Sequence, residues 1–332
     1  MFPVSTTIEC PSFGSPMSDA TTLDVPYPYR RNPHRANADT HHRRWLQRFR
    51  MLGSALTPAS YDRWGVPDLA ALSYPDCTAE ELALATDLMG FYFLFDDQFD
   101  GPLGLRPGEV AVLCDRLTGV LHGEAPPADM PCALAFEDLW ERISRGMSAR
   151  WRARATYNWE CYFASHPAEA AGRRDGHPPD RESYLILRRG TAAMESVLDM
   201  VERLGRFEVS PAAFHCPPLR QLRQLAADIP SLSNDIRSYP KEAPHGDVNN
   251  LVMIVQRERG CSLEEAGSVV LAEAQLMVDR YAQLKDELPR TYRALELGPD
   301  QEQVAERYAD GLTAWLSGYL SWESGTGRYQ SG

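Results

Sequence analysis

The chain has 332 residues, of which 43% are hydrophobic, enough for one large core or two smaller ones. Its 34 basic and 46 acidic side chains give a formal charge of −12, which argues against nucleic-acid binding because phosphates must be neutralised by clustered Lys and Arg. The seven cysteines are scattered and form no C-x-x-C pair, no apolar stretch approaches about 20 residues, and the N-terminus lacks a leader pattern. We therefore expect reduced thiols in a cytoplasmic protein without a membrane span.

The composition and the hydrophobic periodicity of the chain change near residue 39. Residues 1–38 are rich in Pro, Ser, Thr and Asp without periodicity, which predicts a partly disordered arm. An amphipathic pattern then predicts a helix over 41–56. Thr78 is placed to cap a long helix that continues to Asp100 and ends at Gly101-Pro102.

Helical patterns continue through the rest of the chain. Ser262 and Glu265 have the spacing of a capping box, whereas the Pro- and Arg-rich stretch 168–180 is typical of a loop. No β-alternation or internal repeat occurs. The sequence predicts an all-α, single-domain bundle over 39–322 with a C-terminal tail, 323–332. Further helices are predicted over 133–148, 150–165, 181–205, 217–240, 248–259, 262–288 and 299–322.

A first acidic motif, Asp96-Asp97-Gln98-Phe99-Asp100, follows the apolar run 88–95. Asp96 and Asp100 are four residues apart, so both carboxylates lie on one face of a helix. Carboxylates on a buried helix are costly unless they are paired or bound to metal, and a divalent cation removes their mutual repulsion. The segment predicts a metal site, although a run of acids can also be a solvated helix face.

A second motif is formed by Asn234, Ser238 and Glu242, which are spaced at four-residue intervals. On a helix these three oxygen-bearing side chains line one face, and such ligands suit Mg²⁺. Pro240 lies inside this helix and removes a backbone donor, which predicts a kink that disturbs the position of Glu242 most. The alternative is an ordinary solvated helix end.

Together the two motifs resemble those of the bacterial class I terpene synthases, most of all the sesquiterpene synthases. The resemblance extends from about Tyr27 to Tyr329 and implies an α-helical bundle around a central active-site cavity. It implies that Asp96 binds metal, and that Asp97 and Asp100 either bind metal or orient other groups through hydrogen bonds.

The resemblance also points to basic groups that contact a diphosphate. Arg188 lies 46 residues before the second motif, where the family has its diphosphate-sensing arginine, and the adjacent Arg189 is an alternative. Lys241 lies within the second motif, and Arg328-Tyr329 resembles the closing Arg-Tyr pair of the family. The tail that carries this pair is expected to close over the active site.

Aromatic side chains are expected to line the substrate pocket. Tyr92 and Phe93 precede the first aspartate of the motif by four and three residues, so they share its helix face. Trp315 belongs to a second aromatic stripe, and an aromatic face stabilises a nearby cation. In the family the helix with the sensor arginine breaks and aims a backbone carbonyl at the substrate. By that spacing Thr191 is the linker and Ala192 the effector.

The implied activity is the Mg²⁺-dependent ionisation and cyclisation of a linear prenyl diphosphate, with three ions and release of diphosphate. Farnesyl diphosphate is the expected substrate, and a homodimer is plausible in this family. The alternatives are a diterpene synthase that uses geranylgeranyl diphosphate and a non-catalytic helical protein that binds prenyl diphosphates. A chain-elongating prenyltransferase would carry a second DDxxD where this sequence has Asn234-Asp235. A helical scaffold would require no metal.

Overall fold

The computed structural model describes residues 23–53, 56–242 and 248–329, and every regular element within them is helical. This confirms the predicted all-α fold. Short 3₁₀ turns occur at Asp97–Phe99 and Pro102–Leu105. The α-helices of the described part are α1 (Arg35–Phe49), α2 (Pro58–Asp62), α3 (Val66–Ser73), α4 (Ala79–Asp96), α5 (Pro107–Leu121), α6 (Pro131–Ser144), α7 (Ala149–Asp175), α8 (Arg181–Thr191), α9 (Met194–Gly205), α10 (Pro211–Phe214), α11 (Pro217–Glu242), α12 (Leu251–Arg259), α13 (Leu263–Ala294) and α14 (Pro299–Gly325).

Helix α4 is buried on nearly all sides because α1, α3, α6 and α9 pack around it. Its N-terminus begins as predicted, since Thr78 Oγ1 accepts a hydrogen bond from the Glu81 amide at 3.3 Å. Its C-terminus differs from the prediction: the α-helix ends at Asp96 and the 3₁₀ turn Asp97–Phe99 continues the chain. Helices often tighten in this way in their last turn, and here Pro102 prevents any extension.

An aromatic cluster joins α4 to α6 and α7. Phe91 and Phe95 of α4 contact Phe136 of α6 and Trp159 and Phe163 of α7, all of them buried. The rings of Phe91 and Phe136 have centroids 5.4 Å apart, and those of Phe136 and Trp159 are 4.8 Å apart. Such packing fixes α4 against α7 and gives the acidic end of α4 a rigid base.

Helix α7 is longer than predicted, and the loop predicted over 168–180 is wrong for most of its length. The helix passes through Pro167 and ends only at Asp175, where Gly176 adopts a left-handed conformation with φ of 63°. A proline lacks one backbone donor, but the alanines that follow are strong helix formers. The extra turns carry side chains from α7 to the end of the bundle at which α4 terminates.

The helix predicted over 181–205 is two helices, α8 and α9. They are joined at Ala192 and Ala193, and Ala193 has a left-handed φ of 57° that interrupts the hydrogen-bond ladder. Alanine is the best helix former, so the helical pattern gave no sign of this break, whereas the family resemblance implied one here.

A second cluster of buried side chains joins α8, α11, α12 and α13. Helix α11 is its main element and continues through both Pro230 and Pro240 to Glu242, so Pro240 does not end it. Helix α13 begins with the predicted capping box, in which Ser262 and Glu265 bond to each other's backbone amides. Members of this cluster include Tyr184, Leu232, Ile236, Leu251, Val255 and Val270.

The ends of the bundle differ slightly from expectation. Helix α1 begins at Arg35, within the expected arm, and residues 1–22 of that arm lie outside the described part. Helix α14 continues to Gly325, which lies within the predicted tail, and the chain after it is described to Tyr329. Among the described residues no helix is long and apolar enough to cross a membrane, and the six cysteines in this part are free thiols.

Candidate functional site

A cavity of about 760 Å³ lies between α4, α7, the α8–α9 break, α11 and α14. Most of the residues predicted from the sequence line it. Asp97 is not among the lining residues, and the side chain of Lys241 lies outside the described part. The predicted residues that line the cavity are Tyr92, Phe93, Asp96, Asp100, Arg188, Thr191, Ala192, Asn234, Ser238, Glu242, Trp315, Arg328 and Tyr329.

The acidic end of α4 forms one side of the cavity. Burial, followed by the carboxylates of Glu169 and Asp100, raises the pKa of Asp96 to about 7. The nearby Arg328 guanidinium opposes this shift but does not cancel it. Concentrated carboxylates of this kind favour either a proton or a cation.

Asp97 is not part of the cavity lining and binds Arg328. Its Oδ1 accepts a hydrogen bond of 2.7 Å from Arg328 Nη2, and the same guanidinium lies 4.3 Å from the ring centroid of Phe93 and 4.4 Å from that of Trp64. The ion pair and the two rings fix the direction of the arginine. They tie the C-terminal tail to the end of α4.

The tail is also anchored through its backbone. Gly327 donates a hydrogen bond of 2.9 Å to the Arg63 carbonyl, and Thr326 Oγ1 donates one of 2.8 Å to the Trp64 carbonyl. Tyr329 then reaches across to α11, where its hydroxyl accepts a bond of 2.8 Å from Asn234 Nδ2. The described part of the tail therefore connects the end of α4 to α11, and its Arg328 and Tyr329 line the cavity.

The second motif lies on α11, opposite the acidic end of α4. Asn234 also accepts a bond of 2.5 Å from Arg188 Nη2. Glu242 is partly exposed to the cavity, and burial raises its pKa to about 7, an effect that a hydrogen bond from Asn250 reduces and the carboxylate of Asp235 reinforces. Both sides of the cavity mouth thus carry carboxyls that are easier to protonate than usual.

Asn250, the N-cap of α12, contacts three residues of the C-terminal part of α11. Its Nδ2 lies 2.9 Å from Glu242 Oε2, 2.9 Å from the Asp235 carbonyl and 3.5 Å from Ser238 Oγ. Its Oδ1 accepts a bond from the Val252 amide, which caps α12. A single buried amide therefore holds the C-terminal turn of α11 beyond the proline.

Two consecutive arginines on α8 have different surroundings. Arg188 is the residue that lines the cavity, with Nε 3.2 Å from Asp235 Oδ1. Arg189 forms two hydrogen bonds with Asp228, of 2.7 and 2.8 Å, and does not line the cavity. Asp235 is further fixed by the Tyr184 hydroxyl at 2.5 Å. The geometry favours Arg188 over Arg189 as the residue that faces a ligand.

The deeper wall of the cavity is apolar and aromatic. Phe93 stacks on Trp322 with centroids 5.5 Å apart, and Trp315 is held by a hydrogen bond of 3.1 Å to the Ala226 carbonyl. Tyr92 is fixed by a bond of 2.7 Å between its hydroxyl and Ser196 Oγ. This wall can enclose a hydrocarbon chain.

A family model described as "Terpene synthase family 2, C-terminal metal binding" matches residues 87–280, which include both motifs and more than half of the chain. The chain belongs to the terpene synthase family. The pristinol synthase of Streptomyces pristinaespiralis is 35% identical over 95% of this chain and 86% of its own length. The (-)-beta-caryophyllene synthase of Saccharothrix espanaensis, described as "(2E,6E)-farnesyl diphosphate cyclizing", is 33% identical over 94% of this chain and 89% of its own.

Solved structures with a similar fold are also terpene synthases. The crystal structure of germacradien-4-ol synthase from Streptomyces citricolor superposes with a TM-score of 0.87 and is 57% identical over 93% of this chain and 100% of that one. The chain is therefore a terpene synthase, and the predicted class I bundle is confirmed. These findings support the predicted terpene synthase activity. They do not favour the alternative of a non-catalytic binding protein.

The donor set of this terpene synthase fits a hard divalent cation. Asp96, Asp100 and Glu242 supply carboxylates, and Asn234 and Ser238 supply neutral oxygens at the same cavity. In the described part, no three His, Cys, Asp or Glu side chains converge into a complete metal cage. Hard divalent cations can be held by one or two protein carboxylates when water and substrate phosphates complete the coordination shell.

Sequence reasoning missed several polar residues in the lining of this terpene synthase. Glu169 and Arg173 lie on the part of α7 that was predicted to be a loop, and they form an ion pair of 3.4 Å. Asn249 precedes α12 and donates a bond of 3.5 Å to the Glu169 carbonyl. Tyr162, His166 and Ala170 are spaced at four-residue intervals, which is typical of a helix. This pattern could have predicted that the helix continues past Pro167.

Proposed function

We propose that this terpene synthase ionises farnesyl diphosphate with Mg²⁺ and cyclises the resulting carbocation, with release of diphosphate. The observation that carries the proposal is the placement of two oxygen-rich motifs on facing helices at the mouth of one apolar cavity. The cavity of about 760 Å³ lies within the usual range for small-molecule sites. The substrate of the caryophyllene synthase relative supports farnesyl over geranylgeranyl diphosphate.

We assign the metal-holding role to two groups of side chains. Asp96 and Asp100 would bind on the α4 side, and Asn234, Ser238 and Glu242 on the α11 side, for three Mg²⁺ ions in total. When bound, Mg²⁺ supplies positive charge that offsets the negative charge developing on the leaving diphosphate. Asp97, given its bond to Arg328, would act by positioning this arginine rather than as a direct ligand.

The basic and phenolic groups at the mouth would bind the diphosphate. Arg188 and Arg328 carry charge that suits phosphate oxygens, and Tyr329 adds a hydroxyl donor. Lys241, whose side chain lies outside the described part, is included because of the family resemblance alone. Arg188 and Tyr329 both contact Asn234, so they already lie beside the α11 motif. The tail excludes water from the mouth, which protects a reactive cation from early capture.

The apolar wall would shape the reaction after ionisation. Tyr92, Phe93 and Trp315 present aromatic faces, which attract cations by up to about 2 kcal/mol when desolvated. Thr191 and Ala192 lie at the α8–α9 break, where backbone carbonyls are released from the helical ladder and can stabilise positive charge. Geometry of this kind favours a folded substrate chain and hence ring formation.

A product assay tests the proposal. Purified protein is incubated with Mg²⁺ and, separately, with geranyl, farnesyl and geranylgeranyl diphosphate, and the extracts are analysed by gas chromatography–mass spectrometry. We expect a cyclic C15 product from farnesyl diphosphate that disappears with EDTA. A larger yield from geranylgeranyl diphosphate would instead support a diterpene synthase, and no product with any substrate would refute the proposal.

Substitution of the first aspartate tests the metal assignment. Asp96→Asn should lower kcat by at least about 10²-fold, the usual effect of losing one charge-stabilising group. Its far-UV circular dichroism should not change, because the carboxyl already has a pKa near 7 and its neutral form resembles an amide. Asp115→Asn, an exposed position on α5, is the matched control. Wild-type turnover in Asp96→Asn would exclude this residue as a ligand.

A further inference from the structure

The hydroxyl groups in the cavity wall fall into two classes. Those of Tyr92, Tyr319 and Tyr329 each have a side-chain partner, namely Ser196, Glu323 and Asn234. Two others do not: Tyr162 Oη and Thr191 Oγ1 are buried and have no hydrogen-bond partner among the described residues. Both residues line the cavity.

The two unpaired hydroxyls belong to neighbouring helices, because α7, which carries Tyr162, packs against α8, which carries Thr191. Tyr162 on α7 packs edge-on against Tyr92, with ring centroids 5.3 Å apart. Tyr92 bonds to Ser196, and Ser196 bonds to the Ala193 carbonyl at 2.9 Å, two residues after Thr191. A short chain of contacts therefore connects both residues to the α8–α9 break.

Neither hydroxyl has an ordinary structural reason to remain unpaired. Nearly all buried polar side-chain atoms in folded proteins have a partner, from protein or from ordered water. A threonine within a helix commonly bonds to the carbonyl four residues earlier, and Thr191 does not make this bond. Burial, followed by the charge of Asp96, raises the pKa of Tyr162 well above its usual range, so its hydroxyl keeps its proton and remains a donor.

A water molecule is the ligand that fits. It needs two to four polar partners in a polar, roomy site, and each hydroxyl can donate one hydrogen bond and accept others. Among the hydroxyls that the structure describes in the cavity lining, these two are the ones without a partner, so a water at this wall would bind to them. A confined water beside an apolar cavity is a nucleophile placed next to the substrate's hydrocarbon chain.

We infer that Tyr162 and Thr191 form a water-binding subsite and that its water attacks the carbocation, so that the main product is a terpene alcohol. The inference rests on the proposed function. The water oxygen forms a C–O bond with the cationic carbon, and no carbon–carbon bond breaks. The resulting oxonium loses one O–H proton to the released diphosphate, so charge and atoms balance without any oxidant.

Isotope labelling of the product tests the subsite. Wild type is incubated with farnesyl diphosphate and Mg²⁺ in H₂¹⁸O, and the ratio of alcohol to hydrocarbon is measured by gas chromatography–mass spectrometry. We expect an alcohol that carries ¹⁸O. Tyr162→Phe and Thr191→Val keep the shape of each side chain and remove its hydroxyl, so each should lower the ratio about tenfold, as expected for losing one net hydrogen bond.

Matched variants separate the subsite from general effects of packing. Thr191→Ser keeps the hydroxyl and should keep the ratio. Tyr292→Phe removes another buried hydroxyl without a partner in the described part, on α13 and outside the cavity lining, and should leave the ratio unchanged. Unchanged ratios in both hydroxyl-deleting variants would overturn the inference, as would a wild type that makes only hydrocarbons from farnesyl diphosphate. The absence of any product would refute the proposed function as well.

Discussion

Arg188 and Arg189 are neighbours in sequence but are separated by about 100° of helical rotation on α8. Arg188 points into the cavity and contacts Asn234, whereas Arg189 is fully engaged with Asp228. The two arginines have the same charge, so their different partners decide which of them can bind a ligand. The sequence left both possibilities open because a spacing rule cannot resolve a shift of one residue.

This difference leads to a prediction about diphosphate binding. Arg188→Gln should weaken the binding of Mg²⁺-diphosphate and lower kcat/KM by about 10²-fold, since it removes a charge-assisted donor at the mouth. Arg189→Gln should change kcat/KM by less than about threefold, since its ion pair lies outside the cavity lining. Calorimetry with diphosphate and steady-state kinetics measure both, with circular dichroism to verify folding. Equal losses in the two variants would contradict the assignment.

Part of the first motif could be predicted from residues alone. The spacing of Asp96 and Asp100, and the apolar run before them, placed both at the cavity, where the structure has them. The direction of Asp97 could not be predicted, because it depends on Arg328, which is 231 positions away in sequence. Long-range partners of this kind are set by tertiary packing and leave no local pattern.

At the scale of elements, the C-terminal turn of α11 depends on α12. Pro240 removes a backbone donor that an uninterrupted helix would use, yet Glu242 stays in the cavity lining beside Ser238. Asn250 compensates through its contacts with Glu242 and the Asp235 carbonyl. From the sequence we predicted that Pro240 disturbs the position of Glu242, whereas the helix continues to Glu242. The contribution of Asn250 could not be predicted, since this side chain belongs to the next helix.

Replacing this asparagine should affect metal dependence more than folding. Asn250→Ala should raise the Mg²⁺ concentration for half-maximal activity by about 10- to 100-fold, as for other residues that orient metal ligands. It also removes a helix cap worth about 1 kcal/mol. Ser262→Ala removes the cap of α13 at similar cost and should leave the Mg²⁺ requirement unchanged. If the two variants respond to Mg²⁺ alike, Asn250 is only a cap.

Two further elements show the limits of sequence patterns. Pro167 and the arginines after it predicted a loop, but alanines and packing against neighbours keep α7 helical to Asp175, which brings Glu169 to the site. Conversely, Ala192 and Ala193 lie in a pattern that predicts helix, and tertiary structure breaks it. Local propensity amounts to about 1 kcal/mol or less for most residues and about 3 kcal/mol for a proline within a helix, and packing can override it in either direction.

At the scale of the whole molecule, the cavity lies between two clusters of buried side chains, one around α4 and one around α11 and α13. Glu323 of α14 links the two. Its carboxyl is fully enclosed, accepts hydrogen bonds from Ser233 and Tyr319, and pairs with Arg237 at 3.3 Å. The pattern of α14 predicted a helix but gave no sign that one of its acids would be buried at this junction.

Glu323 should make the stability of the ligand-free protein depend on pH. Burial raises its pKa to about 7 despite its three partners, whereas in the unfolded chain the value is about 4.3. Between these values the folded protein retains a proton that the unfolded chain has released, so stability falls as pH rises from about 4.5 to 7. This difference in pKa between the folded and unfolded states corresponds to a change of a few kcal/mol at most in the free energy of unfolding. In thermal denaturation it corresponds to several degrees in Tm.

Thermal denaturation at pH 5 and pH 8, without Mg²⁺ or diphosphate, measures this effect. Glu323→Gln imitates the protonated form, so its Tm should be close to that of wild type at pH 5 and higher at pH 8. Glu306→Gln, an exposed change on the same helix, should follow the wild-type curve at both values. A lower Tm for Glu323→Gln at pH 8 would mean that the ion pair with Arg237 outweighs the cost of burying the charge. In that case the junction between the two clusters would be held by an ionised carboxylate.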